Sequence, residues 1–104
     1  MSFQVLFTPE ADDDLERLYD FLLDGAETLE DLHQAEAAMQ SIRAAVLTRL
    51  TTTPYIFRKV GASPTRRELI VPFGASGYVA LYEIADASRV LVLAVRHQRE
   101  EDYH

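Results

Sequence analysis

The chain has no cysteine among its 104 residues. That excludes a disulfide framework and thiolate chemistry. No apolar run approaches the length needed to cross a bilayer, so no membrane partner is expected. The opening Met1-Ser2-Phe3-Gln4-Val5 has neither the basic region nor the long apolar stretch of a secretory leader. Internal repeats, linkers and low-complexity stretches are lacking too. These absences describe one cytoplasmic domain over residues 1–104. Cationic excess is also missing, because the net charge is −7. Phosphate attraction needs a cationic surface, so specific nucleic-acid binding is not expected. The acids are unevenly placed. Residues 1–53 hold 11 Asp and Glu against 3 Arg, whereas residues 54–104 hold 6 against 7 Lys and Arg. The acidic half reads as a solubilising surface, or as one that recruits a basic partner.

What is present is a clear succession of elements. Phe3 to Phe7 is a short strand of aromatic and β-branched residues. Thr8 is placed to cap a helix, and Pro9 suits its first position. Glu10, Asp12, Asp13 and Asp14 follow, where the positive helix end favours acids. They read as dipole compensation and solvation, with no histidine or distant carboxylate to complete a metal site. Leu15, Leu18, Tyr19 and Leu22 form one helical face, with Phe21 and Leu23 beside it. Gly25 is a candidate left-handed cap. Thr28 and Asp31 form a capping box for a second helix, whose stripe is Leu32, Ala35, Met39, Ile42, Val46 and Leu50. His33 on this helix has no matching ligand at helical spacing and reads as a surface residue. So short a connection makes the two helices a hairpin.

Residues 55–65 read as a loop, broken by Gly61 and Pro64. Arg67 to Phe73, Tyr78 to Ile84 and Arg89 onward read as strands joined by tight turns, an antiparallel meander. The expected fold is α+β, with the order β-α-α-β-β-β. A helical hairpin covers one face of an antiparallel sheet.

The last strand carries the chemistry. Val90 to Val95 is short and rich in β-branched residues, which predicts a strand buried on both faces. Arg96, His97 and Arg99 follow at once, and Tyr103 lies near the end. A rigid strand holds the side chains at its exit in fixed positions. Alternation sends Arg96 and His97 to opposite faces, one structural and one available for binding. Arg67 either pairs with an acid of the first helix or contacts a target.

The order of elements resembles the RelE/ParE superfamily of bacterial toxins. Four segments carry the likeness: Phe7-Thr8-Pro9-Glu10-Ala11 with Leu15, Arg67-Glu68-Leu69, Ser76-Gly77-Tyr78-Val79-Ala80-Leu81-Tyr82-Glu83, and Leu93-Ala94-Val95-Arg96-His97-Gln98-Arg99-Glu100. They look like the family's opening, its R-x-L strand, its Tyr-x-x-x-Tyr strand and its closing R-H-x-R segment. The resemblance covers essentially the whole chain.

The resemblance implies the toxin of a type II toxin–antitoxin (plasmid stabilisation) system, neutralised by a ParD-like antitoxin. RelE-like members cut mRNA on the ribosome, and ParE-like members poison DNA gyrase. Cutting RNA needs a base, an acid and cations on the scissile phosphate. RNA-cutting relatives often carry Arg after the Tyr78 match, where this chain has Val79. The expectation is therefore a ParE-like gyrase inhibitor with no catalytic residue, cofactor or metal. Arg67, Arg96, His97, Arg99 and Tyr103 would contact the target, and Leu15, Tyr19, Phe21 and Leu22 the antitoxin. In the alternative endoribonuclease, His97, Arg96 and Tyr103 would be catalytic. A third reading is a non-toxic module that only binds antitoxin.

Overall fold

A computed structural model describes residues 2–100. Strand β1 (Gln4–Phe7) leads into α1 (Pro9–Asp24) and α2 (Leu29–Leu50). Then come β2 (Arg58–Lys59), β3 (Arg66–Phe73), β4 (Ser76–Ile84) and β5 (Arg89–His97). Both helix starts follow from local chemistry. The Thr8 hydroxyl accepts the Ala11 amide ahead of Pro9, and Thr28 and Asp31 form a reciprocal capping box. Gly25, expected in the left-handed region, has φ −88° and stays right-handed.

The sheet order is β1-β5-β4-β3-β2. The meander β3-β4-β5 is antiparallel, as expected. β1 joins β5 in parallel, so the sheet is mixed. The chain between these parallel neighbours runs through both helices and the strands β2 to β4, so it is long enough for the crossover that such a pair requires. β2 adds two residues to the edge within the segment read as loop. Gly77 has to be glycine, because a Cβ there would lie 2.4 Å from the Val71 carbonyl oxygen.

The helices cover one face of the sheet. Ala11, Leu15 and Leu18 from α1 and Ala38, Ile42, Val46 and Leu50 from α2 pack on Leu69, Val71, Tyr82, Val90, Val92 and Val95. Strand β5 is buried more completely on the helix side, where Val90, Val92 and Val95 join the core; Leu91 and Leu93 are half-buried, and Ala94 is 7% exposed. The second helix is not packed along its whole length either. Leu29 and Leu32 in its first turns are 68% and 39% exposed.

Beyond Val92, β5 runs past the end of β1, and its backbone edge needs other partners. Leu93 is the extra residue of a bulge, since Leu81 pairs with Ala94 and Tyr82 with Val92. Side chains close the edge. The Thr8 hydroxyl donates to the Val92 carbonyl (3.0 Å), and Asp14 Oδ2 accepts the Val95 amide (2.9 Å). Asp14 is 6% exposed. It is therefore a strand cap, not one of the solvating acids it was grouped with.

Candidate functional site

The exit of β5 forms one wall of a groove of about 980 Å³. Its other walls are the end of α1, the start of α2 and the β3–β4 turn. Leu18, Phe21, Leu22, Phe73 and Tyr78 make it apolar. Phe21 is 74% exposed, a large side chain that the fold itself leaves uncovered. The charged lining is Arg17 and Arg99 against Asp24, Asp31 and Glu100. Arg17 is already engaged, with Nη1 3.3 Å from Glu100 Oε1 and Nη2 3.9 Å from Asp14 Oδ1. Hydrogen bonds from the Glu27 amide, then from Thr28, hold the Asp31 carboxyl below its usual range. Burial pushes the Tyr78 phenol up, and its side chain lines the groove.

His97 stands on the groove side. Its ring meets Tyr78 edge-on at 5.4 Å, and its Nε2 lies 3.1 Å from Ser76 Oγ. Its Nδ1 accepts the Arg99 amide at 3.0 Å, which seats Arg99 on the groove rim.

Arg96 points away from the helices. Its Nη1 donates to the Glu100 carbonyl (2.6 Å), and its Nη2 lies 3.8 Å from Glu68 Oε2. It folds residues 97–100 back onto the strand and is the structural member of the pair. Arg67 lies at the far end of β3 from Phe73. It donates to the Phe57 carbonyl (2.8 Å) and stacks over Tyr55 (6.0 Å), which replaces the expected ion pair with α1.

Of the expected target contacts, then, the structure brings His97 and Arg99 together and separates Arg67 and Arg96 from them. Tyr103 lies outside the described residues. Of the expected antitoxin contacts, Phe21 and Leu22 line this groove. Tyr19 lines a shallower one between the helices. Leu15 lines that second groove as well, although at 3% exposed it is chiefly a core residue. Among the described residues no cluster of His, Asp and Glu is placed to hold a metal ion. No described helix is long and apolar enough to cross a membrane.

Sequence reasoning missed Asp14, although a signal was available. Asp14 sits three residues after Ala11 and four before Leu18, on the apolar stripe itself.

Residues 5–102 match the family model of the ParE toxin of type II toxin–antitoxin system, parDE. The chain belongs to the ParE toxin family. It is also 36% identical over 101 residues to the protein named Toxin RelE1 of Caulobacter vibrioides, covering 97% of this chain and 99% of that one. Among solved structures it is similar to the one titled Chromosomal ParDE TA system from P. aeruginosa, at TM-score 0.69 and 18% identity. That match covers 91% of this chain and 95% of the other, and shows the fold. As a member of this family the chain is a toxin of type II toxin–antitoxin systems.

Proposed function

We propose that this toxin arrests growth by binding DNA gyrase, with no catalysis of its own. A ParD-like antitoxin restrains it by covering the hairpin tip and the groove. One observation carries the reading. The groove around His97 is lined by two arginines and three carboxylates, and Glu100 and Asp14 hold one of those arginines. A scissile phosphate needs cations that gain strength as its charge develops. This groove instead is mostly apolar, with three carboxylates against two arginines. The middle strand supplies no replacement, since Val79 is 1% exposed and apolar. Phe21, Leu22 and the uncovered Leu29 and Leu32 suit the apolar face of an antitoxin helix.

The test is a supercoiling assay with purified toxin, with and without antitoxin. Inhibition relieved by antitoxin is expected; full supercoiling at molar excess of toxin defeats the reading. A ribosome-dependent endoribonuclease is the second reading. It is favoured by the relative named Toxin RelE1 and by the imidazole–hydroxyl contact of His97 with Ser76. It requires cleavage of translated message that His97→Ala abolishes. Normal growth on induction without antitoxin would leave the non-toxic module.

A further inference from the structure

His97 carries an inference that does not depend on which target the toxin has. Its ring is held at both nitrogens. A backbone amide can only donate, so the Arg99 amide at 3.0 Å requires a lone pair on Nδ1. A neutral imidazole then carries its proton on Nε2, and Nε2–H donates to Ser76 Oγ at 3.1 Å. The ring thereby ties the start of β4 to the turn that leaves β5. The same turn has other fastenings: the Gln98 amide donates to the Gly77 carbonyl at 2.9 Å, the Glu100 amide to the His97 carbonyl at 3.0 Å, and the His97 amide to Glu100 Oε1 at 3.1 Å.

We propose that His97 is a positioning residue that holds the exit turn, and with it Arg99 on the groove rim, through its neutral Nε2–H form. A second proton opens this hold. An imidazolium has a donor on each nitrogen, so Nδ1–H would then face the Arg99 N–H, and one of the two must move. The groups around the ring set the outcome. Ser76 and Tyr78 come from β4. Arg99 and Glu100 come from the turn, and Arg17 from α1, held by Glu100 and Asp14. Across the groove stand Asp24 and Asp31. Arg96, the neighbour in sequence, is turned to the other face and keeps its own hold on the Glu100 carbonyl. The turn therefore loosens around Arg99 while its far end stays attached.

The test uses the whole chain labelled with nitrogen-15 and needs no partner, so its failure is separable from failure of the gyrase reading. Long-range proton–nitrogen spectra at high pH should show Nδ1 bare and Nε2 protonated for His97. As acid is added, the Arg99 amide signal should move in step with the signals of the His97 ring. His97→Asn supplies a side-chain oxygen acceptor that does not titrate. It should keep the Arg99 signal at its high-pH position throughout, while His97→Ala loses that position at every pH. A bare Nε2 at high pH overturns the proposal. So does an Arg99 amide that stays still while the ring titrates, or one that titrates unchanged in His97→Asn. The wild-type spectra decide the question even where a variant fails to fold.

Discussion

Arg96 and His97 are consecutive residues of one strand, and the pleat gives them opposite surroundings. On the outer face, Arg96 is enclosed by Glu68 and by the carbonyls of the turn that follows it. On the helix face, His97 stands at the mouth of a groove beside a phenol, a hydroxyl and a main-chain amide. Both are polar and both follow the same apolar run. Both are bonded into the fold, and what separates them is the face on which those bonds hold the side chain. Arg96 is spent on structure, whereas His97 is held in place with its ring on a concave surface. An arginine and a histidine written next to each other in sequence therefore do not share one site.

Substitutions can sharpen this contrast. The largest loss of stability is expected for Arg96→Ala. It removes the donor to the turn and leaves Glu68, 11% exposed in its side chain, without that neighbour. The cost should be about 2–3 kcal/mol in urea unfolding. A change below about 0.5 kcal/mol would place Arg96 with the surface residues.

Asp14→Ala should cost about 1–3 kcal/mol, because the buried Val95 amide loses its acceptor. Asp14→Asn keeps a side-chain oxygen and should recover part of it. Equal losses in both variants would argue against the amide bond as the cause.

Tyr82→Phe is next. The Tyr82 hydroxyl donates to the Pro54 carbonyl at 2.6 Å, and its loss should cost about 1 kcal/mol. Burial pushes the Tyr82 phenol up to about 12, partly offset by the Arg67 guanidinium. The native state thus favours the neutral phenol more than the unfolded chain does. That contribution is complete below about pH 10, the ordinary tyrosine value, and is lost as pH rises through about 12. Unfolding titrations of the wild type should show this alkaline decline, and Tyr82→Phe should reduce it.

The smallest change in stability belongs to the groove. Phe21→Ser should alter unfolding by less than about 0.5 kcal/mol, since the ring is 74% exposed. It should nonetheless weaken antitoxin binding in calorimetry. Unchanged affinity would remove Phe21 from the proposed contact.

Much of the fold was legible because its causes are local. Thr8 before Pro9, and Thr28 three residues before Asp31, cap their helices within a single turn of chain. The apolar stripe of α2 identifies its buried face over residues 35–50. What escaped depends on distant partners. Asp14 is a strand cap only because a bulge and the end of β1 expose the Val95 amide, 81 residues away. The parallel pairing of β1 is likewise set by β5, and Arg67 finds the Phe57 carbonyl instead of an acid. The residues of the candidate groove were legible in part. The strand exit did mark His97 and Arg99, but alternation alone could not say which of Arg96 and His97 faced the groove. The hairpin tip that completes that groove comes from residues far from either of them.

The central claim is that an apolar, acid-rimmed groove serves protein binding and not RNA scission. The most direct measurement places the purified toxin in two reactions side by side, gyrase supercoiling and translation of a defined message. Inhibited supercoiling with intact message is the predicted result. Cleaved message that becomes intact on His97→Ala, with supercoiling untouched, would contradict it.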